Sequence, residues 1–148
     1  MLQSGYRVIT RLHPEATRKS PELDVDPSAD FWMQQASLMI SDWSGVVMEY
    51  AYGFEKPVLF IDLPRKINNP AYSQLGIEPM EVSVRNEIGK VLHPEKIPEL
   101  PTEIAKLLSE DCGLIDNIRS SRNTHVFNHS TSASIGANFI EKIMDIRS

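Results

Sequence analysis

Two short polar clusters directly follow apolar runs, and both carry side chains able to do chemistry. Arg11-Leu12-His13-Pro14 follows Tyr6-Arg7-Val8-Ile9-Thr10, and Ser41-Asp42-Trp43-Ser44-Gly45 follows Leu38-Met39-Ile40. The His13 imidazole can bind phosphate as a cation or act as general acid or base near neutral pH. Pro14 biases it towards an extended conformation. A structural loop histidine is an equal alternative from these residues alone. In the second cluster Ser44 supplies a hydroxyl, and Gly45 lets a ligand approach the backbone closely. A helix starting there would add unpaired N–H groups and partial positive charge, which suits phosphate or pyrophosphate. The alternative is that Ser41-Asp42-Trp43-Ser44 only caps that helix. Glu49, five residues after Ser44, is placed either to accept hydrogen bonds from a ribose or glycerol diol or to remain a solvated helix carboxylate.

Charge favours a backbone mode of binding in this segment. Between Ser20 and Glu55 the chain has no Lys or Arg, but it carries Glu22, Asp24, Asp26, Asp30, Asp42, Glu49 and Glu55. Phosphate held here must use backbone N–H groups and hydroxyls, with basic help from other segments such as Arg7, Arg11 or Arg18. Other candidates are weaker. His93 reads as a surface residue. His125 and His129 are four apart, but no HExxH pattern or third ligand accompanies them. Arg119 and Arg122 share a helix face, which reads as a solvated face ahead of a ligand clamp. Cys112 has no partner motif. Phe31, Trp32 and Trp43 read as core or cleft lining. No P-loop, GxGxxG, GxSxG or CxxC occurs, which disfavours Walker-type NTPases, dinucleotide dehydrogenases, α/β-hydrolases and thioredoxins.

The clusters need elements to position them. Tyr6–Leu12 reads as a strand, Leu23–Asp26 as a short one, and a helix follows Ser28 with Phe31, Trp32, Gln35 and Ala36 at helical spacing. Leu38–Ile40 reads as a buried strand, Gly45–Tyr52 as a helix with Gly53 as its cap, and Pro57–Ile61 as a further strand. That alternation predicts parallel βαβ units, with both clusters at the carboxyl ends of strands, where open α/β sheets bind ligands. Residues 63–79 read as a long loop and Glu81–Val84 as a short strand. Arg85–Leu92, Thr102–Leu108 and residues 114–125 have helical periodicity. Ser130–Arg147 predicts a closing helix with Ile135, Phe139, Ile140, Ile143 and Met144 on one face.

The whole chain sets bounds on these readings. Its 148 residues predict one domain, small for a two-substrate enzyme. Hydrophobic residues make up 41% and charged ones 24%, which is ordinary globular usage and argues against disorder. No apolar run approaches the roughly 20 residues of a membrane span, and the first residues lack the apolar stretch of a secretory signal. A single cysteine points to a reducing compartment. Fifteen basic against 20 acidic residues give a net charge of −5, so no nucleic-acid partner is expected.

The segments Arg11–Pro14, Ala36–Gly45, Glu49 and Lys56–Asp62 together resemble the C-terminal half of CDP-glycerol glycerophosphotransferases. Those proteins carry K-x-H-P, D-x-L-I-T-D-Y-S-S and K-P-I-I-F-Y segments. The likeness covers roughly residues 6–62, with a weaker echo over Ser132–Ile140, similar to the closing helix of GT-B transferases. It implies a Rossmann-like three-layer domain with a mostly parallel sheet over residues 1–148, one half of a GT-B fold, with the N-terminal half absent or supplied by a partner chain. It implies catalysis or phosphate contact by His13, phosphate contact by Arg11, donor-phosphate binding by Ser41, Asp42, Ser44 and Gly45, and ribose or donor binding by Glu49. The partner implied is a nucleotide-activated donor, used in teichoic-acid-like envelope polymer synthesis. No cofactor or metal is required, since GT-B enzymes generally use protein groups instead. The location implied is cytoplasmic or at the inner face of the membrane, with peripheral association of the full enzyme. Trp43 stands for the family's Tyr. Gly45 stands for its second Ser, closer to the Ser-Gly-Gly turn of epimerase-like GT-B proteins, so CDP-glycerol and a nucleotide sugar both stand as donors. The rival expectations are a UDP-N-acetylglucosamine 2-epimerase-like domain and a non-catalytic Rossmann-like interaction or regulatory module.

Overall fold

The computed structural model describes residues 5–10, 29–65, 67, 69–109 and 113–146. At its centre is a three-stranded parallel sheet in the order β1 (Met39–Ser41), β2 (Val58–Ile61), β3 (Gly89–Leu92). Met39 lies opposite Val58, and Val58 opposite Gly89. Helix α1 (Ala29–Gln35) precedes β1, and α2 (Val46–Phe54) crosses from β1 to β2. The return from β2 to β3 passes a 3-10 turn at Pro70–Leu75 and two short helices, α3 (Met80–Ser83) and α4 (Arg85–Ile88). After β3 come a 3-10 turn at Pro94–Glu99, α5 (Leu100–Leu107), α6 (Leu114–His125) and α7 (Ser132–Ile146).

Strand β2 explains the layering. Val58, Leu59 and Phe60 are all buried, as a strand covered on both faces requires. Val58 and Phe60 pack with Val47, Tyr50 and Ala51 of α2, Val84 and Ile88 around α4, and Leu114 and Ile118 of α6. Leu59 points the other way, into a smaller cluster with Leu92 and Ile104 of α5. The chain is thus mixed α/β, with helices on both sides of a parallel sheet, a layout compatible with a Rossmann-like domain.

Several expectations shift. Residues 6–10 form no strand. Tyr6 packs beside the Leu59 cluster, and the Arg7 guanidinium lies 4.6 Å from the Trp32 ring centre, so this segment is tied to side chains and not to a sheet edge. Leu23–Asp26 lies outside the described residues. The strand expected at Glu81–Val84 is helical, because Val84 and Ile88, one turn apart, bury together. The helix expected over Arg85–Leu92 stops at Ile88, and Gly89 opens β3. A Cβ at Gly89 would lie 1.9 Å from the Val58 carbonyl oxygen, so only glycine lets the two strands close. Gly53 does not cap α2. It lies inside the helix, and Glu55 takes the left-handed conformation beyond it, at φ 53°.

Helix α7 keeps the expected apolar face, but that face meets solvent. Ile135, Phe139, Ile140, Ile143 and Met144 are all exposed, Phe139 by 64%. No described helix is long and apolar enough to cross a membrane.

Candidate functional site

The β1–α2 connection sits at the carboxyl end of its strand. Ser41 ends β1 and is half-buried, Asp42 and Trp43 form the bend, and Gly45 precedes α2. No side chain caps α2, so the capping alternative does not describe this turn. The Val47 and Met48 amides donate to the Ser44 and Gly45 carbonyls, both at 3.2 Å. The Gly45 and Val46 amides have no backbone acceptor among the described residues. Nothing lies within 4 Å of where a Gly45 Cβ would be, and φ there is −60°, so neither the fold nor the backbone conformation demands glycine. Glu49 lies in the first turn of α2 and is exposed. Ser41, Asp42, Ser44, Gly45 and Glu49 therefore share one strand-to-helix turn and its first helical turn. His13 and Arg11 lie outside the described residues.

Trp43 links this turn to a cation that inspection of the sequence alone misses. Its indole Nε1 donates to the Leu63 carbonyl at 2.7 Å. The Arg85 guanidinium lies 3.9 Å from the Trp43 ring centre and 4.9 Å from that of Phe60. Arg85 Nη1 donates to Asp62 Oδ1 at 3.0 Å. Arg85 is 6% exposed. A buried charge needs compensation, and here one carboxylate and two ring faces supply it. Arg65 stands nearby, 4.9 Å from the Tyr72 ring centre and 5.9 Å from that of Trp43. The basic neighbours of the Ser41–Gly45 turn, through Trp43, are thus Arg85 and Arg65. Arg7, expected in that role, lies over Trp32 instead, and Arg11 and Arg18 lie outside the described residues. Asp62 was legible by position, since it follows β2 as Ser41 ends β1. Arg85 had no such signal, because it reaches the strand ends from a helix 23 residues away in sequence.

A second polar cluster joins α2, α4 and α6. The Tyr52 hydroxyl and Ser121 Oγ are 2.8 Å apart, and Ser121 donates to Glu87 at 2.5 Å. His125 Nε2 lies 3.5 Å from the same carboxylate. An open cavity of about 400 Å³ borders Glu87, Ser121 and His125. Burial pushes the Tyr52 phenol up. His129 Nδ1 instead meets Ser130 Oγ at 3.1 Å, so the histidine pair of the sequence does not converge. No group of three metal-binding side chains occurs among the described residues. Arg119 and Arg122 both hold Glu55, at 2.7 and 2.9 Å; Arg119 stays half-exposed, as a solvated face implies, whereas Arg122 is largely withdrawn from solvent. Hydrogen bonds from Arg119, then Arg122, keep the Glu55 carboxyl below the usual carboxylate range. His93 accepts a hydrogen bond from the Glu95 amide at a 3-10 turn and is exposed there. Cys112 lies outside the described residues.

Comparison of the chain with protein-family models, with curated proteins and with solved structures returns no match.

Proposed function

We propose that this chain is the donor-binding domain of a glycerophosphotransferase or glycosyltransferase of the GT-B type, acting in envelope-polymer synthesis. The phosphates of a nucleotide-activated donor, CDP-glycerol or a nucleotide sugar, sit on the Ser41–Gly45 turn. The observation that carries this reading is the uncapped start of α2 at the carboxyl end of a parallel strand. In this reading the Ser44 hydroxyl and the Gly45 and Val46 amides hold phosphate oxygens without a basic residue in the segment. Ser41 and Asp42 belong to the same phosphate-binding turn, and Glu49 takes the ribose or glycerol diol. By resemblance, Arg11 contacts phosphate and His13 eases its departure, by charge or by proton transfer.

The exposed apolar face of α7 supports a second body in the working enzyme, an N-terminal GT-B domain or a partner chain. The chain alone then binds nucleotide weakly and turns nothing over. The reading places it in the cytoplasm or at the inner face of the membrane.

Calorimetric titration with CDP-glycerol, CDP and a UDP-sugar tests it. Saturable binding is expected, weakened about 10-fold by Ser44→Ala, and weakened likewise by Gly45→Ala and by His13→Ala. Gly45→Ala is the sharpest of these, because that position is open and needs no glycine for folding. Unchanged affinity in all three variants would overturn the site.

A further inference from the structure

We infer that Arg85 is the charged ligand of this site: the edge of its guanidinium formed by Nε–H and Nη2–H takes two oxygens of a phosphate, and Asp62 competes for the same cation. This rests on the reading of the Ser41–Gly45 turn as a phosphate site, and it adds the positive charge that the turn lacks.

A guanidinium carries five N–H donors in one plane. Arg85 spends Nη1 on Asp62, whereas Nε and Nη2 are buried with no hydrogen-bond partner among the described residues. Those two nitrogens lie on the same side of the group. Together they make the fork that receives a carboxylate or phosphate through two parallel hydrogen bonds. The Trp43 and Phe60 rings do not satisfy it, because a ring under the guanidinium meets its face and leaves the in-plane N–H groups unpaired. Buried donors are almost always paired, so an unpaired fork on a guanidinium stacked against Trp43 of the turn points to an anionic acceptor.

The neighbours indicate how the acceptor enters. Phe60 is buried in β2, whereas Trp43 is partly exposed and Asp62 has a side chain 43% exposed. Trp43 belongs to the phosphate turn itself and is held outside its ring contacts by one hydrogen bond, to the Leu63 carbonyl. Nε and Nη2 are buried, so a phosphate on the turn reaches them only by a local shift of the guanidinium and of Trp43 stacked on it. Asp62 stays on the far nitrogen and weakens the attraction for a second anion, which makes it the internal competitor.

The test uses the full chain with Trp32→Phe, which leaves Trp43 as its sole tryptophan and removes an indole N–H that has no partner among the described residues. Inorganic phosphate, pyrophosphate and CDP are titrated by Trp43 fluorescence and calorimetry. Pyrophosphate should change the Trp43 signal saturably. Arg85→Lys, which keeps the charge and loses the fork, should weaken pyrophosphate binding about 10-fold or more. Asp62→Asn should tighten it about 3-fold or more at low salt, with the gain fading as salt rises. Asp62 is exposed, so that variant decides the matter even where Arg85→Lys unfolds. No saturable binding of pyrophosphate, equal affinity in folded Arg85→Lys, or no gain in Asp62→Asn overturns the inference. CDP binding no better than pyrophosphate, with both variants behaving as expected, overturns the nucleotide reading and leaves the Arg85 fork standing.

Discussion

Arg85 and Arg122 are both largely withdrawn from solvent, yet they are used in opposite ways. Arg122 donates through Nη1 to the Tyr52 carbonyl at 3.0 Å and to Glu55 at 2.9 Å, with Arg119 on the same carboxylate. It ties α6 to the end of α2, where Glu55 takes its left-handed turn and the last carbonyls of a helix have no donor within the helix. Its Nε also has no partner among the described residues, but a lone nitrogen offers no fork. Arg85 makes one ion pair and leaves a complete edge buried without a hydrogen-bond partner among the described residues. The difference separates a brace from a binding group. Where the hydrogen bonds are spent on the chain's own backbone, the cation stabilises. Where two remain directed at nothing, the stability given up is consistent with a ligand.

That contrast can be broken by variants that act on one region and spare the other. The largest effect is expected from Ile118→Ala, which empties a fully buried position where α6 meets the sheet. It should cost about 3–4 kcal/mol in denaturant unfolding while leaving pyrophosphate affinity of the folded chain unchanged. A joint loss of both would show that the regions are not separate. Arg122→Ala should cost about 2 kcal/mol, again with no change in ligand affinity.

The same brace sets an acid response. Glu55 has its folded-state pKa depressed by Arg119 and Arg122. Its contribution is therefore present above the unfolded carboxylate value of about 4.3 and is lost as pH falls through the lower folded value. Melting temperatures measured from pH 6 to pH 3 should fall more steeply in the wild type than in Glu55→Gln below about pH 4. Tyr52→Phe removes one buried hydrogen bond to Ser121 and should cost about 1 kcal/mol. The smallest stability change is expected from Ser44→Ala, under about 0.5 kcal/mol, because Ser44 caps nothing. A loss near 1 kcal/mol, the usual value for a removed cap, would return this serine to a structural role.

Much of the site could be read along the chain because it is local. An apolar run of Leu38-Met39-Ile40, a polar turn and an amphipathic stretch from Val46 predict a strand, a connecting turn and a helix, and the structure has all three in place, with β1 one residue later than the run. β3 was hidden, since Val84, Ile88 and Val91 continue a helical spacing through Gly89, and only the clash with the Val58 carbonyl shows why the helix must stop there. Gly53 reads as a helix stop by residue type, yet α2 ends at Glu55. Two arginines from α6, more than 60 residues on, hold that carboxylate in an otherwise unfavourable turn.

The sequence by itself therefore determined the alternation of strand and helix around β1, α2 and β2, the acidic character of the segment and the polar turn at the strand end. Periodicity and turn chemistry act over a few residues and need no distant partner. Only the tertiary structure decided which cation meets that turn. Arg85 comes to Trp43 and Asp62 through the packing of α4 against the sheet, and long-range packing of this kind leaves no mark in local spacing.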